Sequence, residues 1–465
     1  MLKAVPVCCL LLLIAGCAHS PPAQDLSVIP LASNFGGASF GDDRGEILSD
    51  RWWQHFDDPA LDRLIGMALD GNFSIAATYA RLAESAAVVR ERSGERQPSL
   101  DLEASVSASK SDGADWQDTW RTGLVAGYEL DLWGRLESLE SAAQFEFQAT
   151  EADLQAARIS LTADTASTYY ELIAQQAIVD LLTKQQDLNR RVAELLRLRV
   201  VNGLAPLDDL LRQRRLIEAG EVDIIDARQA LFERREQLAV LLGKNQPQLS
   251  LPERSVAPSL PETPATGLPA EWLKQRPDLK AAWLRVNAAD QQVAAAIARQ
   301  YPRISLSADL STTAAAPSDL FQRWLTSLAA NLALPLFDGG QLRAQADQQV
   351  ASRNIAFNQF AQAVLEATAD VETALAAERF NQSRLNRLET QVTLARQAAE
   401  RLRQRYLNGD SAYLDVLSAQ IALQDSERAL LAANWQQVQD RIGLVRALAG
   451  GWESDAAVTP SETIL

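Results

Sequence analysis

Two stretches of the chain, Arg135–Asn202 and Gln341–Asn408, contain neither Gly nor Pro. Each is roughly 70 residues long, so a helix running through it reaches about 100 Å at 1.5 Å per residue. A single globular domain has no use for rods of that length. In the second stretch Leu385, Leu388, Val392, Ala395, Ala399, Leu402 and Tyr406 step alternately by three and four, the spacing of a coiled-coil seam. The seam is narrow and partly Ala, which lets helices approach closely. Both rods end in a basic run (Arg197 and Arg199, Arg401 and Arg403) followed by Asn202-Gly203 and Asn408-Gly409. Cations in a last turn complement the helix dipole, and a Gly beyond it permits a left-handed cap. A return helix is therefore expected after each turn. Asp208 and Asp209 open the first and Asp410 and Asp415 the second, and they run to about Leu242 and Leu448.

The rods belong to a tandem repeat. Asn72-Phe73-Ser74 parallels Arg276-Pro277-Asp278, Gln97-Pro98 parallels Tyr301-Pro302, and Trp133-Gly134-Arg135-Leu136 parallels Gly339-Gly340-Gln341-Leu342. Val201-Asn202-Gly203 parallels Leu407-Asn408-Gly409, and Leu242-Gly243 parallels Ala449-Gly450. All five matches are collinear at an offset of about 205 residues, which marks a duplication. Each half reads helix (Pro59 to about Glu95, Glu271 to about Gln300), two strands, rod, turn and return helix. Six prolines from Pro247 to Pro269 make the joint between halves an extended connection.

Strands show in period-two alternation. Leu100, Leu102, Ala104, Val106 and Ala108 alternate with polar residues, and Leu124 to Leu132 is the partner. In the second half Ile304, Leu306, Ala308 and Leu310 alternate with Ser305, Ser307, Asp309 and Ser311. Its partner carries Trp324, Leu328, Ala330, Leu332, Leu334 and Leu336 on one side. Soluble hairpins packed on helices share this pattern. The strands are each about ten residues long, however, which suits a tilted transmembrane strand. Four strands cannot close around a channel, since small filled barrels already use about eight. Pooling among subunits is required, and a trimer supplies twelve.

The N-terminus agrees with a membrane destination. Lys3, the apolar run to Ala15 and the small residues before Cys17 form a secretory signal too short to span a bilayer. Ile14-Ala15-Gly16-Cys17 has the form of a lipobox, so Cys17 is expected to carry a covalent lipid such as palmitate and to begin the mature chain. Ala18, instead of Asp, points to the outer membrane. Cys8 and Cys9 fall in the removed part, which leaves no disulfide framework. With two histidines and no thiol pair, zinc clusters, His-based triads and resident cofactors are not expected, and neither is enzymatic activity. The net charge of −16 argues against nucleic acid as a partner.

The expected fold is an α+β membrane protein. A trimeric twelve-stranded β-barrel, four strands per chain, continues into a long α-helical coiled-coil barrel. The expected organisation is a signal peptide over 1–16, a lipid-anchored tether over 17–50 and a first repeat over 51–243. That repeat holds a hairpin at 99–133 and a rod at 135–202. A linker over 244–270 precedes the second repeat, 271–452, with its hairpin at 303–337 and rod at 341–408, and a tail covers 453–465.

Several motifs, taken in order, give the chain its resemblance to a known family. Trp52-Trp53 with Phe56 and Asp58-Pro59 comes first, then Asp131-Leu132-Trp133-Gly134-Arg135 and Gln275-Arg276-Pro277-Asp278. Pro335-Leu336-Phe337-Asp338-Gly339-Gly340 and Gly450-Gly451-Trp452 complete the set. On these, the chain resembles the TolC-type outer-membrane efflux family in its lipoprotein branch, over nearly all of the mature sequence. The resemblance implies a homotrimeric duct through the outer membrane and periplasm. It receives small toxic compounds or drugs from an inner-membrane transporter, of the resistance-nodulation-division type, joined by a periplasmic membrane-fusion adaptor. An outer-membrane duct for ATP-driven type I protein secretion is the alternative. Gly203 and Leu204 with Asp209, and Gly409 with Asp415, match the family's tip motif that meets the adaptor. Asp415 matches one pore-narrowing carboxylate of the periplasmic aperture, whereas Ser418 stands where members often carry a second, so a single acidic ring is implied. Ala449 replaces a frequent Gly in the closing motif.

Overall fold

The computed structural model describes residues 51–113, 115–245, 258, 260 and 275–448. The signal peptide, Cys17 and its tether, most of the Pro-rich joint, the Gly450-Gly451-Trp452 motif and the tail lie outside the described residues. In chain order the elements are α1 (Pro59–Gly71), α2 (Phe73–Glu95), β1 (Ser99–Ser109), β2 (Gln117–Leu130), α3 (Arg135–Val201) and α4 (Leu207–Leu241). Then come α5 (Pro277–Ala298), β3 (Arg303–Ala314), β4 (Leu325–Ala333), α6 (Gln341–Asn408) and α7 (Tyr413–Leu448). The chain forms two compact units. One holds Ala80–Asp153 and Asp278–Ala363, and the other holds the described residues up to Tyr79, Leu154–Pro277 and those from Val364.

The first unit contains a four-stranded antiparallel sheet in the order β1-β2-β3-β4. Its register gathers apolar side chains on one face. Leu102 opposes Leu124 and Leu124 opposes Leu310, while Leu130, Ile304 and Leu332 form another row. The other face is polar: Asp101, Val125, Asp309 and Ser327 share a row, and Arg121 reaches Asp309 at 3.1 Å. Among the described residues the apolar face is left open: Leu102 is 75%, Leu328 82% and Leu332 65% exposed. Every residue of the edge strands β1 and β4 is exposed. Among the described residues no helix is long and apolar enough to cross a membrane.

Several strand boundaries differ from expectation, among them the end of β2 at Leu130, short of Leu132, and the start of β4 at Leu325, just after Trp324. β2 starts at Gln117, well before Leu124, because β1 pairs with it through Ser109–Gln117. β4 ends at Ala333, so Leu334 and Leu336 fall outside it; Pro335 offers no N–H to continue the ladder.

Each passage from strand to rod is built by a short motif. Trp133 Nε1 donates to the Pro302 carbonyl at 2.7 Å and its ring stacks on Tyr301 at 4.9 Å. Gly134 takes φ 69°, Arg135 pairs with Glu129 at 2.8 Å, and Asp131 accepts from the Glu137 N–H at 2.8 Å to cap α3. Asp338 caps α6, accepting from the N–H groups of Gly340 and Leu342 at 2.9 Å each. Bonds from Leu342 and Gly340 hold its carboxyl below the usual range.

The second unit is helical. Its largest core gathers Trp52, Trp53, Phe56, Leu61 and Ile65 against Tyr169, Tyr170 and Ile173 of α3 and Trp435 and Ile442 of α7. Trp52 Nε1 reaches Thr162 Oγ1 at 3.3 Å. Asp58 caps α1 through the Ala60 and Leu61 N–H groups and accepts from Tyr169 OH at 3.3 Å. Arg276, nearly buried, donates to the Ala447 carbonyl at 3.0 Å.

The single helix expected from Pro59 to Glu95 is two. Asn72 leaves the helical conformation and its side chain caps α2, accepting from Ser74 N–H at 2.9 Å and Ile75 N–H at 3.2 Å. The same amide donates to the Leu241 carbonyl at 2.9 Å. The backbone at Gly71 approaches Gly243 so closely that a Cβ on Gly243 would lie 2.0 Å from the Gly71 carbonyl oxygen. That contact forces the break. α5 begins at Pro277, while Glu271 lies outside the described residues.

Candidate functional site

The rods end as their sequences require. In the first turn the Gly203 N–H bonds to the Val200 carbonyl at 3.0 Å and the Leu204 N–H to Arg199 at 2.7 Å, with Gly203 at φ 68°. In the second the Gly409 N–H bonds to Tyr406 at 3.1 Å and the Asp410 N–H to Arg405 at 2.8 Å, with Gly409 at φ 86°. Both are Schellman closures, which satisfy the last carbonyls of a helix through a left-handed glycine. Leu204 projects 66% exposed. Asp410 does not open the return helix as expected; it completes the turn, and α7 begins at Tyr413.

The two acids six residues beyond these glycines differ. Asp209 is buried in the first turn of α4, with Arg212 at 3.8 Å. Burial raises its carboxyl pKa, and Arg212 only partly opposes that. Asp415, in the first turn of α7, is exposed. Ser418 is exposed too, and its hydroxyl donates to the Leu414 carbonyl of its own helix at 2.8 Å. The matched pair thus splits into a buried acid and a solvent-facing one.

Behind the turns, Leu196, Leu210, Tyr413 and Leu417 form a core that joins α3, α4 and α7. Tyr413 OH donates to Gln213 Oε1 at 2.6 Å, and its ring meets Tyr406 edge-on at 5.5 Å. The Arg199 guanidinium lies over the Tyr406 ring at 4.7 Å. Burial pushes both tyrosine hydroxyls up from their ordinary pKa.

A ladder of buried amides continues from this core and was not foreseen. Gln213 Nε2 donates to the Asn189 carbonyl at 2.8 Å, and Gln424 Nε2 to Asn189 Oδ1 at 3.0 Å. Gln185 Nε2 donates to the Gln424 carbonyl at 3.2 Å, and Gln185 Oε1 accepts from Arg428 Nε at 2.9 Å. Gln186 bonds the Ile217 carbonyl and Glu221. Leu182, Gln185, Asn189, Val192 and Leu196 step by three and four, so the two amides occupy seam positions and periodicity alone marks them. The seam expected on α6 is present, with Leu385, Val392 and Ala399 buried. Beside it an open groove of about 610 Å³ is lined by Lys184, Leu188, Val392, Arg396, Gln420 and Glu427, among others. Nothing in this arrangement assembles an acid, a base and a nucleophile; it holds rods and turns in place.

Known proteins carry the same organisation. The family model described as outer membrane efflux protein matches twice, over residues 64–244 and 268–450. The chain is 28% identical over 457 residues to the pyoverdine export outer membrane protein OpmQ of Pseudomonas aeruginosa, covering 96% of each. It is 31% identical over 475 residues to the toluene efflux pump outer membrane protein TtgI of Pseudomonas putida, covering 97% of this chain and 98% of that one. The solved outer-membrane channel OprN superposes with a TM-score of 0.86 at 26% identity, covering 94% of this chain and all of that one. This chain belongs to the outer membrane efflux protein family.

Proposed function

We propose that three copies of this chain close into the exit duct of a tripartite efflux pump, with small toxic compounds as cargo. Twelve strands form the barrel in the outer membrane, and the two rods and return helices of each chain extend it as a coiled-coil tunnel through the periplasm. The observation that carries this reading is the four-stranded sheet with both edge strands and its apolar face exposed. Unpaired strand edges are not tolerated in lipid, so β1 of one copy takes β4 of the next. A second line of support comes from α4, where Val222, Ile225 and Phe232 are each more than half exposed and share one stripe. The paired matches of the family model, and rods of 67 and 68 residues with like turns, support the tandem repeat.

Within this reading Cys17 is lipidated and anchors the chain to the outer membrane. The turns at Gly203, Leu204 and Gly409 meet a periplasmic adaptor, which joins an inner-membrane transporter of the resistance-nodulation-division type. Three copies of Asp415 converge at the periplasmic aperture, with Ser418 beside them adding no charge. The names of the relatives, pyoverdine export and toluene efflux, favour small molecules over polypeptides as cargo.

Light scattering of detergent-extracted protein tests the assembly: about three chains per particle are expected, and a stable folded monomer would overturn it. Deletion in the host then separates the cargo classes. Sensitivity to solvents or drugs supports the pump, whereas a polypeptide retained in the cell supports protein secretion.

A further inference from the structure

In the second unit four helices lie side by side in a fixed order. Gln213 of α4 bonds to Asn189 of α3, Gln185 of α3 to Gln424 of α7, and Asn381 of α6 to Ala433 of α7. α3 and α7 therefore take the middle, and α4 and α6 are the margins. Each margin carries a further seam that its own chain leaves open. On α4, Arg215, Glu218, Val222, Ile225, Gln229 and Phe232 step alternately by three and four. On α6, Phe380, Ser383, Arg387, Thr390, Leu394 and Gln397 do the same. Every one of these residues is exposed, Phe232 by 55% and Phe380 by 64%.

The two seams are level. Arg428, 19 residues after Gly409, pairs at 2.8 Å with Asp223, 20 after Gly203, so both turns stand at nearly one height. Gln437, 28 after Gly409, bonds at 2.7 Å to Gln382, 27 before it, so α6 and α7 keep pace. The α4 positions follow Gly203 by 12, 15, 19, 22, 26 and 29 residues, and the α6 positions precede Gly409 by the same six counts. Rotation about an axis parallel to the rods preserves height, so each position on one copy faces its counterpart on the next. The counterparts suit each other. Phe232 faces Phe380, Gln229 faces Ser383, and Ile225 faces the apolar stem of Arg387. Flanking charges agree as well. Asp226 falls beside Arg387, and Glu233 beside Arg379, whose guanidinium already lies over the Phe380 ring at 4.9 Å.

We propose that α4 of one copy zips onto α6 of a second copy through this level seam. Phe232 against Phe380 is its aromatic anchor, and Asp226 with Arg387 and Glu233 with Arg379 are the ion pairs that fix its register. The inference rests on the three-copy assembly and assigns the partner of the open α4 stripe. A slip of one step sets Phe232 against Ser383 and draws Arg387 away from Asp226, so the seam selects a single alignment.

Full-length Phe232→Cys/Phe380→Cys protein is extracted in detergent and oxidised. Non-reducing gels should show covalent dimers and trimers at about tenfold the level of either single variant, because facing seam positions come within disulfide reach. Phe232→Cys/Leu394→Cys, displaced by about 21 Å of helix, should stay at the single-variant level. Glu233→Arg and Arg379→Glu should each lower the temperature at which the particle dissociates, and the two together should restore most of it. Where the cysteine pair does not assemble, this exchange of charges decides. Three chains by light scattering without the cross-link, or an exchange that restores nothing, refutes the seam and leaves the duct standing. Cross-linking of the displaced pair refutes the register. A monomeric wild type refutes the seam and the duct together.

Discussion

Gln213 is 2% exposed and holds two neighbours at once, accepting from Tyr413 OH at 2.6 Å and donating to the Asn189 carbonyl at 2.8 Å. In Gln213→Ala the Tyr413 hydroxyl is left buried without its acceptor. Losing one partner of a buried hydrogen bond costs about 1–3 kcal/mol. The Asn189 carbonyl keeps its helical N–H, so most of the loss falls on Tyr413, and the missing packing brings the total to about 2–3 kcal/mol. The damage is local, because the core around Leu196, Leu210 and Leu417 is separate from the larger one. At about 1.4 kcal/mol per tenfold, amides behind both turns should exchange with deuterium roughly 30- to 150-fold faster, with the strands unchanged. Tyr413→Phe alone should accelerate them only about fivefold. The double variant Gln213→Leu/Tyr413→Phe should fall well short of the sum, since an apolar pair leaves no orphan. Unchanged exchange in Gln213→Ala, or strict additivity in the double variant, would refute this account.

Asp209 titrates against the fold. Burial raises its pKa in the folded chain, so the folded state holds its proton more tightly than the unfolded one. Protection behind the first turn should therefore fall as pH rises from the ordinary carboxylate range through the raised value, and Asp209→Asn should flatten that profile; an unaltered slope in the variant would count against it. Asp415 is exposed at the start of α7, and in a closed trimer Asp415→Ala should weaken cation preference and divalent block roughly several-fold in planar-bilayer recordings. Equal conductance and block would reduce the residue to a helix-start carboxylate. For Cys17→Ser, mass spectrometry of the mature chain should show the acyl mass gone while the barrel still assembles, because the strands provide their own apolar band. An unmodified Cys17 in the wild type removes the anchor.

What could be read in advance followed from strong periodicity. The absence of Gly and Pro over Gln341–Asn408 predicted α6 to the residue, and the Asn-Gly pairs predicted a left-handed glycine at each turn. Alternation in β1 and β3 was equally plain, yet the start of β2 was not, since Gln117, Asp118 and Thr119 are polar on both faces and are recruited only by their pairing with β1. The break at Asn72 escaped because Gly71 sits in an otherwise continuous helical pattern, and only its approach to Gly243 demands the interruption. Gln185, Asn189 and Gln213 escaped because polar side chains read as solvent-facing unless the three-and-four step is followed through them. Asp209 and Asp415 share a spacing from their glycines, and spacing alone does not tell which one is buried.

The pairing of β2 with β3 carries a consequence for how the sheet comes into being. β1 with β2 and β3 with β4 are neighbours along the chain, but Leu130 finds Ile304 only after the first rod, its return helix and the Pro-rich joint have been made. Each hairpin can form in about microseconds, whereas the central seam must wait for a loop closure across well over a hundred residues. During that interval two adhesive ribbons, each apolar on one side, exist with nothing to pair against. The longer the seam takes to close, the longer these ribbons stay open to aggregation, so the connection between the halves sets the most vulnerable step of assembly.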